Sequence, residues 1–109
     1  MEVDVFRTHI WLKKKDGMSS EEFTSYWLEK HAPIARDGYE HLRGYVVNAV
    51  TGAPRGQEPL YDGVAELRWD SRDDFVADMK SEASQTSTED LANFTDGFGL
   101  VFINLHDVK

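Results

Sequence analysis

From Val5 to Lys14 the chain alternates between two faces, with Phe6, Thr8, Ile10 and Leu12 on one and Arg7, His9, Trp11 and Lys13 on the other. A period of two predicts a strand. Asp16-Gly17 is a turn signal that ends it. The period then lengthens. Ser19 and Glu22 stand at capping-box spacing, and Phe23, Trp27 and His31 follow four apart, so a helix is expected from Ser19 toward Arg36 with those three on its apolar face. Pro33 has no N–H to donate and its ring crowds the Glu29 carbonyl, so the helix is expected to kink or end near His31.

Leu42–Val50 predicts a second strand, and Tyr61–Trp69 a third beyond the glycine- and proline-bearing loop Thr51–Leu60. Ser71 with Asp74 caps a helix carrying Phe75, Val76 and Met79. Ser87 with Asp90 caps a further turn containing Leu91 and Phe94, and Gly99–Val108 closes the chain as a strand. The order βαββαβ is that of an α+β ferredoxin-like domain, a four-stranded antiparallel sheet with its helices on one face. The other face must meet water or another subunit. With Trp11, Val64 and Phe102 expected on it, a second copy of the chain is the predicted cover. His9, Glu66 and Arg68 fall on the same face, where Glu66 and Arg68 would pair across a dimer.

A chain of 109 residues fits one domain, read here as residues 1–109. No apolar run approaches the roughly 20 residues that cross a bilayer. The start MEVDVF lacks the basic and apolar segments of a secretory leader, so the expected location is the cytoplasm. The absence of cysteine removes disulfides, thiolate metal sites and cysteine nucleophiles. A formal net charge of −8 argues against nucleic acid or an anionic membrane as partner.

His31 is the one titratable residue on the apolar stripe of the first helix, and an imidazole moves protons in either direction near neutrality. A carboxylate, phenol or amide would orient it; a core histidine bonded to a carbonyl freed by Pro33 is the alternative. Tyr45 and Asn48, three apart on a strand, point to opposite faces, so at most one of them reaches a pocket on the helix side. The four histidines show no spacing that sets two on one face of one element, so no metal is expected. Neither a phosphate-binding glycine loop nor a nucleophile-elbow serine is present.

The segments KKDGMSSEEFTSYWLEKHAP, LRGYVVNAV and YDGVAELRWDSRDDF together resemble the EthD family of dimeric α+β barrel proteins, over roughly residues 5–76. The Tyr26-Trp27, His31 and Pro33 pattern, followed by Asp62-Gly63, Ala65, Glu66 and Leu67, carries the resemblance. It implies a homodimer with two facing sheets, each subunit keeping a pocket between its sheet and helices. Relatives include lactone isomerases, polyketide cyclases, decarboxylases or dehydratases, and cofactor-free monooxygenases.

Carried over by position, the helix histidine is His31, with Trp27 in the adjacent turn. The pocket-facing strand positions are Thr8, Ile10 and Leu12, then Gly63, Ala65 and Leu67, and the third strand offers no His, Cys or Tyr there. The expected catalytic residues are His31 and Tyr45. Thr8, Ile10, Leu12, Phe23, Trp27, Val47, Asn48 and Leu67 are expected to bind substrate, with Phe6 among the apolar walls and the Thr51–Leu60 loop at the mouth.

The expected activity is a cofactor-independent cyclisation, isomerisation, dehydration or decarboxylation of a small aromatic, polyketide-like or lactone compound. A cofactor-free monooxygenase and a non-catalytic dimer binding a small hydrophobic or aromatic ligand are the alternatives.

Overall fold

The structure, a computed structural model, describes residues 5–109. Strand β1 (Phe6–Lys14) leads through a turn with Gly17 at φ 84° into helix α1 (Ser20–Tyr26). The capping box forms as expected. The Ser19 hydroxyl accepts from the Glu22 N–H at 3.1 Å, while the Glu22 carboxylate accepts from the Ser19 N–H at 3.0 Å.

The helix does not end at Pro33. It widens into a π-helical turn, Trp27–His31, in which the Ala32 N–H bonds back to the Trp27 carbonyl, and resumes as α2 (Ala32–Gly38) with the proline in its first turn. The wider turn makes room for the ring and needs no N–H from Pro33. The expected interruption is therefore a change of helical pitch centred on the histidine.

Strands β2 (Gly44–Ala49) and β3 (Gly63–Trp69) follow, then α3 (Arg72–Met79), whose Ser71 cap accepts from the Asp74 N–H. Two later expectations are corrected. Ser87 caps nothing; a full helix, α4 (Glu82–Asp90), is capped by Ser81 and passes through 87 before a 3₁₀ turn at Leu91–Asn93. The last strand, β4, spans Thr95–Ile103 and so begins and ends earlier than Gly99–Val108.

The four strands form one antiparallel sheet in the order β2-β3-β1-β4, with the helices on one face. This is the ferredoxin-like fold the element order predicts. Register fixes the faces. Thr8 stands beside Leu67, which stands beside Tyr45, all on the helix side; Trp11, Val64 and Asn48 share the open side.

Phe102 pairs with Thr8 and so belongs to the helix side, against the expectation for the open face. Its ring lies 5.4 Å from Phe6 and 5.7 Å from Phe75. Phe6 itself joins this aromatic group, 6.5 Å from Trp69.

Trp27, Trp69, Phe23, Phe94 and Leu12 are buried and make the core. Two glycines let large rings approach the sheet. A Cβ on Gly63 would overlap the Trp27 ring, and one on Gly99 would overlap the indole of its cross-strand partner Trp11. Asp78 of α3, buried, accepts from the Trp69 indole at 2.8 Å and from the His41 backbone N–H at 3.2 Å, tying α3 to the sheet and to the segment after α2.

Candidate active site

Between the helix side of the sheet and the helices lies a cavity of about 110 Å³, roomier than a single water requires. Thr8, Ile10, Leu12 and Leu67 form its floor, and His31 and Tyr45 reach it from the π turn and from β2. The remaining expected residues stand elsewhere. Phe23 and Trp27 are sealed in the core beside the cavity and do not line it. Val47 lines a separate outer groove with Leu28 and Ala32.

Asn48 is on the opposite face of the sheet, where its amide donates to Glu66 at 2.6 Å and to the Val64 carbonyl at 3.1 Å. Glu66 also stands 3.5 Å from His9. No residue of the Thr51–Leu60 loop lines the cavity. Its rim is built from Thr88 of α4 and from the half-exposed Phe98 and Leu100 of β4.

The group that sequence reasoning missed is Asp90, at the end of α4. Its carboxylate Oδ2 lies 2.8 Å from His31 Nδ1, and its Oδ1 accepts from the Tyr26 hydroxyl at 2.7 Å and the Asn93 amide at 3.0 Å. Burial works against the charged carboxylate, but the hydrogen bonds from Tyr26, Asn93 and His31 outweigh it, and Asp90 sits below its ordinary pKa of 3.8. The same contact pushes the Tyr26 phenol up.

An ionised carboxylate only accepts, so the proton of the Asp90–His31 bond belongs to Nδ1. The bare lone pair is then on Nε2, which has no hydrogen-bond partner among the described residues. Burial lowers the His31 pKa below 6.5 more strongly than the Asp90 carboxylate raises it. The imidazole is therefore neutral near pH 7, held by Asp90 on one nitrogen and packed 4.8 Å from Phe94. A neutral imidazole with a fixed tautomer and a free Nε2 is equipped to accept a proton.

Tyr45 supplies the complementary group. Its oxygen accepts from the Trp27 indole N–H at 3.1 Å, leaving the phenol proton free to be donated. Burial pushes its pKa up to about 12, so the proton stays on at neutral pH. Tyr45 faces the cavity because its register places it beside Leu67.

Thr8 completes the floor. Its hydroxyl is fully buried and has no hydrogen-bond partner among the described residues. Among the described residues no group of three or more His, Asp or Glu side chains is placed to hold a metal ion. No described helix is long and apolar enough to cross a membrane.

A four-stranded antiparallel sheet with its helices on one face places the chain in the ferredoxin-like class. Residues 15–97 match the EthD domain, and the chain belongs to that family. An EthD family protein from Bacillus halodurans C-125 superposes with a TM-score of 0.77 at 20% identity, over 93% of this chain and 99% of that one.

A dimeric ferredoxin-like protein of unknown function from Thermobifida fusca YX gives 0.65 at 18% identity, over 93% and 91%. Hydroxynitrile lyase from Passiflora edulis gives 0.76 at 9% identity, over 99% of both chains. At these identities the likeness is one of fold. No curated protein matches the chain.

Proposed function

We propose that the chain is a cytoplasmic, cofactor-independent enzyme, one domain over residues 1–109, acting as a homodimer on a small aromatic, polyketide-like or lactone substrate. His31 is its general acid/base, and the reaction is a cyclisation, isomerisation, dehydration or decarboxylation driven by proton movement. The observation that carries this reading is the 2.8 Å contact between His31 Nδ1 and Asp90, which leaves Nε2 as the unprotonated nitrogen of a histidine that lines the cavity. In this scheme Nε2 removes a proton from the substrate and delivers it to the product, or in a dehydration to the departing hydroxyl, which leaves as water. Tyr45 donates its hydrogen bond to the oxygen on which negative charge develops.

The apolar floor of Ile10, Leu12 and Leu67 suits a flat, largely apolar body. That a lyase shares the fold supports an enzymatic role on this scaffold. The homodimer is supported by the dimeric neighbour and by the open sheet face, where Trp11, Val46 and Val101 are exposed beside His9 and Glu66. A face of that kind covers itself by pairing with a second copy.

The test is product analysis with a panel of aromatic acids, β-keto compounds and lactones, run under air and under nitrogen. Turnover in both atmospheres that is lost in His31→Ala supports the proposal. Turnover only in air assigns a cofactor-free monooxygenase, and saturable binding with no product assigns a carrier.

A further inference from the structure

Thr8 presents an unusual balance. Its side chain is 0% exposed, its hydroxyl has no partner among the described residues, and a valine of the same shape would fill the site with no polar atom to satisfy. Thr8 is among the residues lining the cavity, so the cavity is the side from which a ligand oxygen would reach the hydroxyl.

A second element repeats the pattern. Ser84, Ser87 and Thr88 of α4, spaced three and one apart, form one face of the helix and line the same cavity. A helix face turned to a core is normally apolar. Here it is hydroxylated, and among the described residues the Ser84 hydroxyl meets only the Met79 sulfur, at 3.8 Å. Across the sheet the register Tyr45, Leu67, Thr8 sets two hydroxyls on either side of one apolar residue, about 10 Å apart at their Cα atoms by the spacing of strands.

We propose that Thr8 and the α4 hydroxyl row are the specificity-determining wall of this cavity, and that the ligand they select carries at least two hydroxyl or carbonyl oxygens on an otherwise apolar ring or short chain. This rests on the cavity being the ligand site, as the proposed function holds, but not on any role of His31. Thr8 bonds one oxygen, and Tyr45 or Ser87 bonds another. A hydrocarbon of the same size leaves the Thr8 hydroxyl unsatisfied, and discrimination follows from that loss.

The test uses two probes of similar shape, 3,5-dihydroxytoluene and mesitylene, with binding followed by ligand-observed NMR. The wild-type chain is expected to bind the dihydroxy probe more tightly. Thr8→Val is expected to cut that preference roughly tenfold, the scale of one ligand hydrogen bond, while Thr8→Ser keeps most of it. Ser87→Ala is expected to reduce the preference without changing the fold, since Ser87 is only half-buried.

An unchanged ratio of affinities in both Thr8→Val and Ser87→Ala overturns the inference while leaving the cavity reading intact. Failure of the wild type to bind either probe overturns both.

Discussion

His31 of the π turn and Asp90 at the end of α4, 59 residues apart in sequence, meet through a 2.8 Å contact that is buried at the histidine and further held by Tyr26 and Asn93. The contact sets which nitrogen of the ring carries the proton. Asp90→Asn removes the charge and leaves one acceptor oxygen where the carboxylate had two. Long-range ¹H–¹⁵N spectra are expected to show the Nδ1–H tautomer of His31 in the wild type and a mixture in Asp90→Asn. The titration midpoint of His31 is expected to move lower still, because the Asp90 contact is what raises it. Turnover is expected to fall about 100-fold or more.

The depressed pKa of His31 gives stability a defined pH dependence. Burial disfavours the charged ring in the folded chain, so as pH falls the unfolded chain binds the proton first. The contribution is therefore fully present above about pH 6.5 and declines below it until the folded pKa has been passed. Asp90, also depressed, adds a loss of the same sign below its ordinary 3.8. Urea midpoints measured from pH 8 to pH 5 should fall with acid, and the slope between 7 and 5 should flatten in His31→Phe. A midpoint that rises on acidification would contradict the assigned burial.

Gly63 and Gly97 provide a matched pair. A Cβ on Gly63 collides with the Trp27 ring, whereas one on Gly97 makes only ordinary contacts of 3.8 Å. Gly63→Ala is expected to cost about 1–3 kcal/mol by overpacking and to shift Tyr45, whose oxygen the Trp27 indole holds at 3.1 Å. Gly97→Ala should change stability by less than about 0.5 kcal/mol. Thermal denaturation and the titration of Tyr45, whose pKa burial pushes up to about 12, check the two effects.

The open face makes a prediction about mass. Light scattering at micromolar concentration is expected to give twice the 12.5 kDa of one chain. Val46→Glu with Val101→Glu, both on exposed positions of that face, should return the monomer mass with the fold intact by circular dichroism. A wild-type mass of 12.5 kDa would remove the dimer.

What the sequence disclosed follows from where its information is local. Strand faces are set by a period of two, so Thr8, Ile10, Leu12 and Leu67 were placed correctly, and the capping box at Ser19 located the first helix to within a residue. The pair Tyr45 and Asn48 was left undivided because alternation fixes only that they oppose each other. The register with Leu67 decides it for Tyr45.

Helix α4 was hidden because EASQTSTED has no apolar period, its cavity-facing side being hydroxylated. Asp90 was consequently read as the partner of Ser87, when its partner is His31. Pro33 predicts a kink or an end near His31, and the disturbance falls there as a π turn, but a chain pattern does not reveal that such a turn lets the helix continue through the proline. The placing of Phe102 failed through a strand whose apolar residues occupy both faces, Leu100 and Phe102 on one and Val101 and Ile103 on the other.

The central claim is that His31 moves a proton of the substrate, and the most direct measurement is turnover by His31→Ala beside the wild type on the first compound of the panel found to react. The account predicts a loss of roughly 100-fold or more, with the dimer mass and the circular dichroism spectrum unchanged. Turnover by His31→Ala equal to that of the wild type would contradict it.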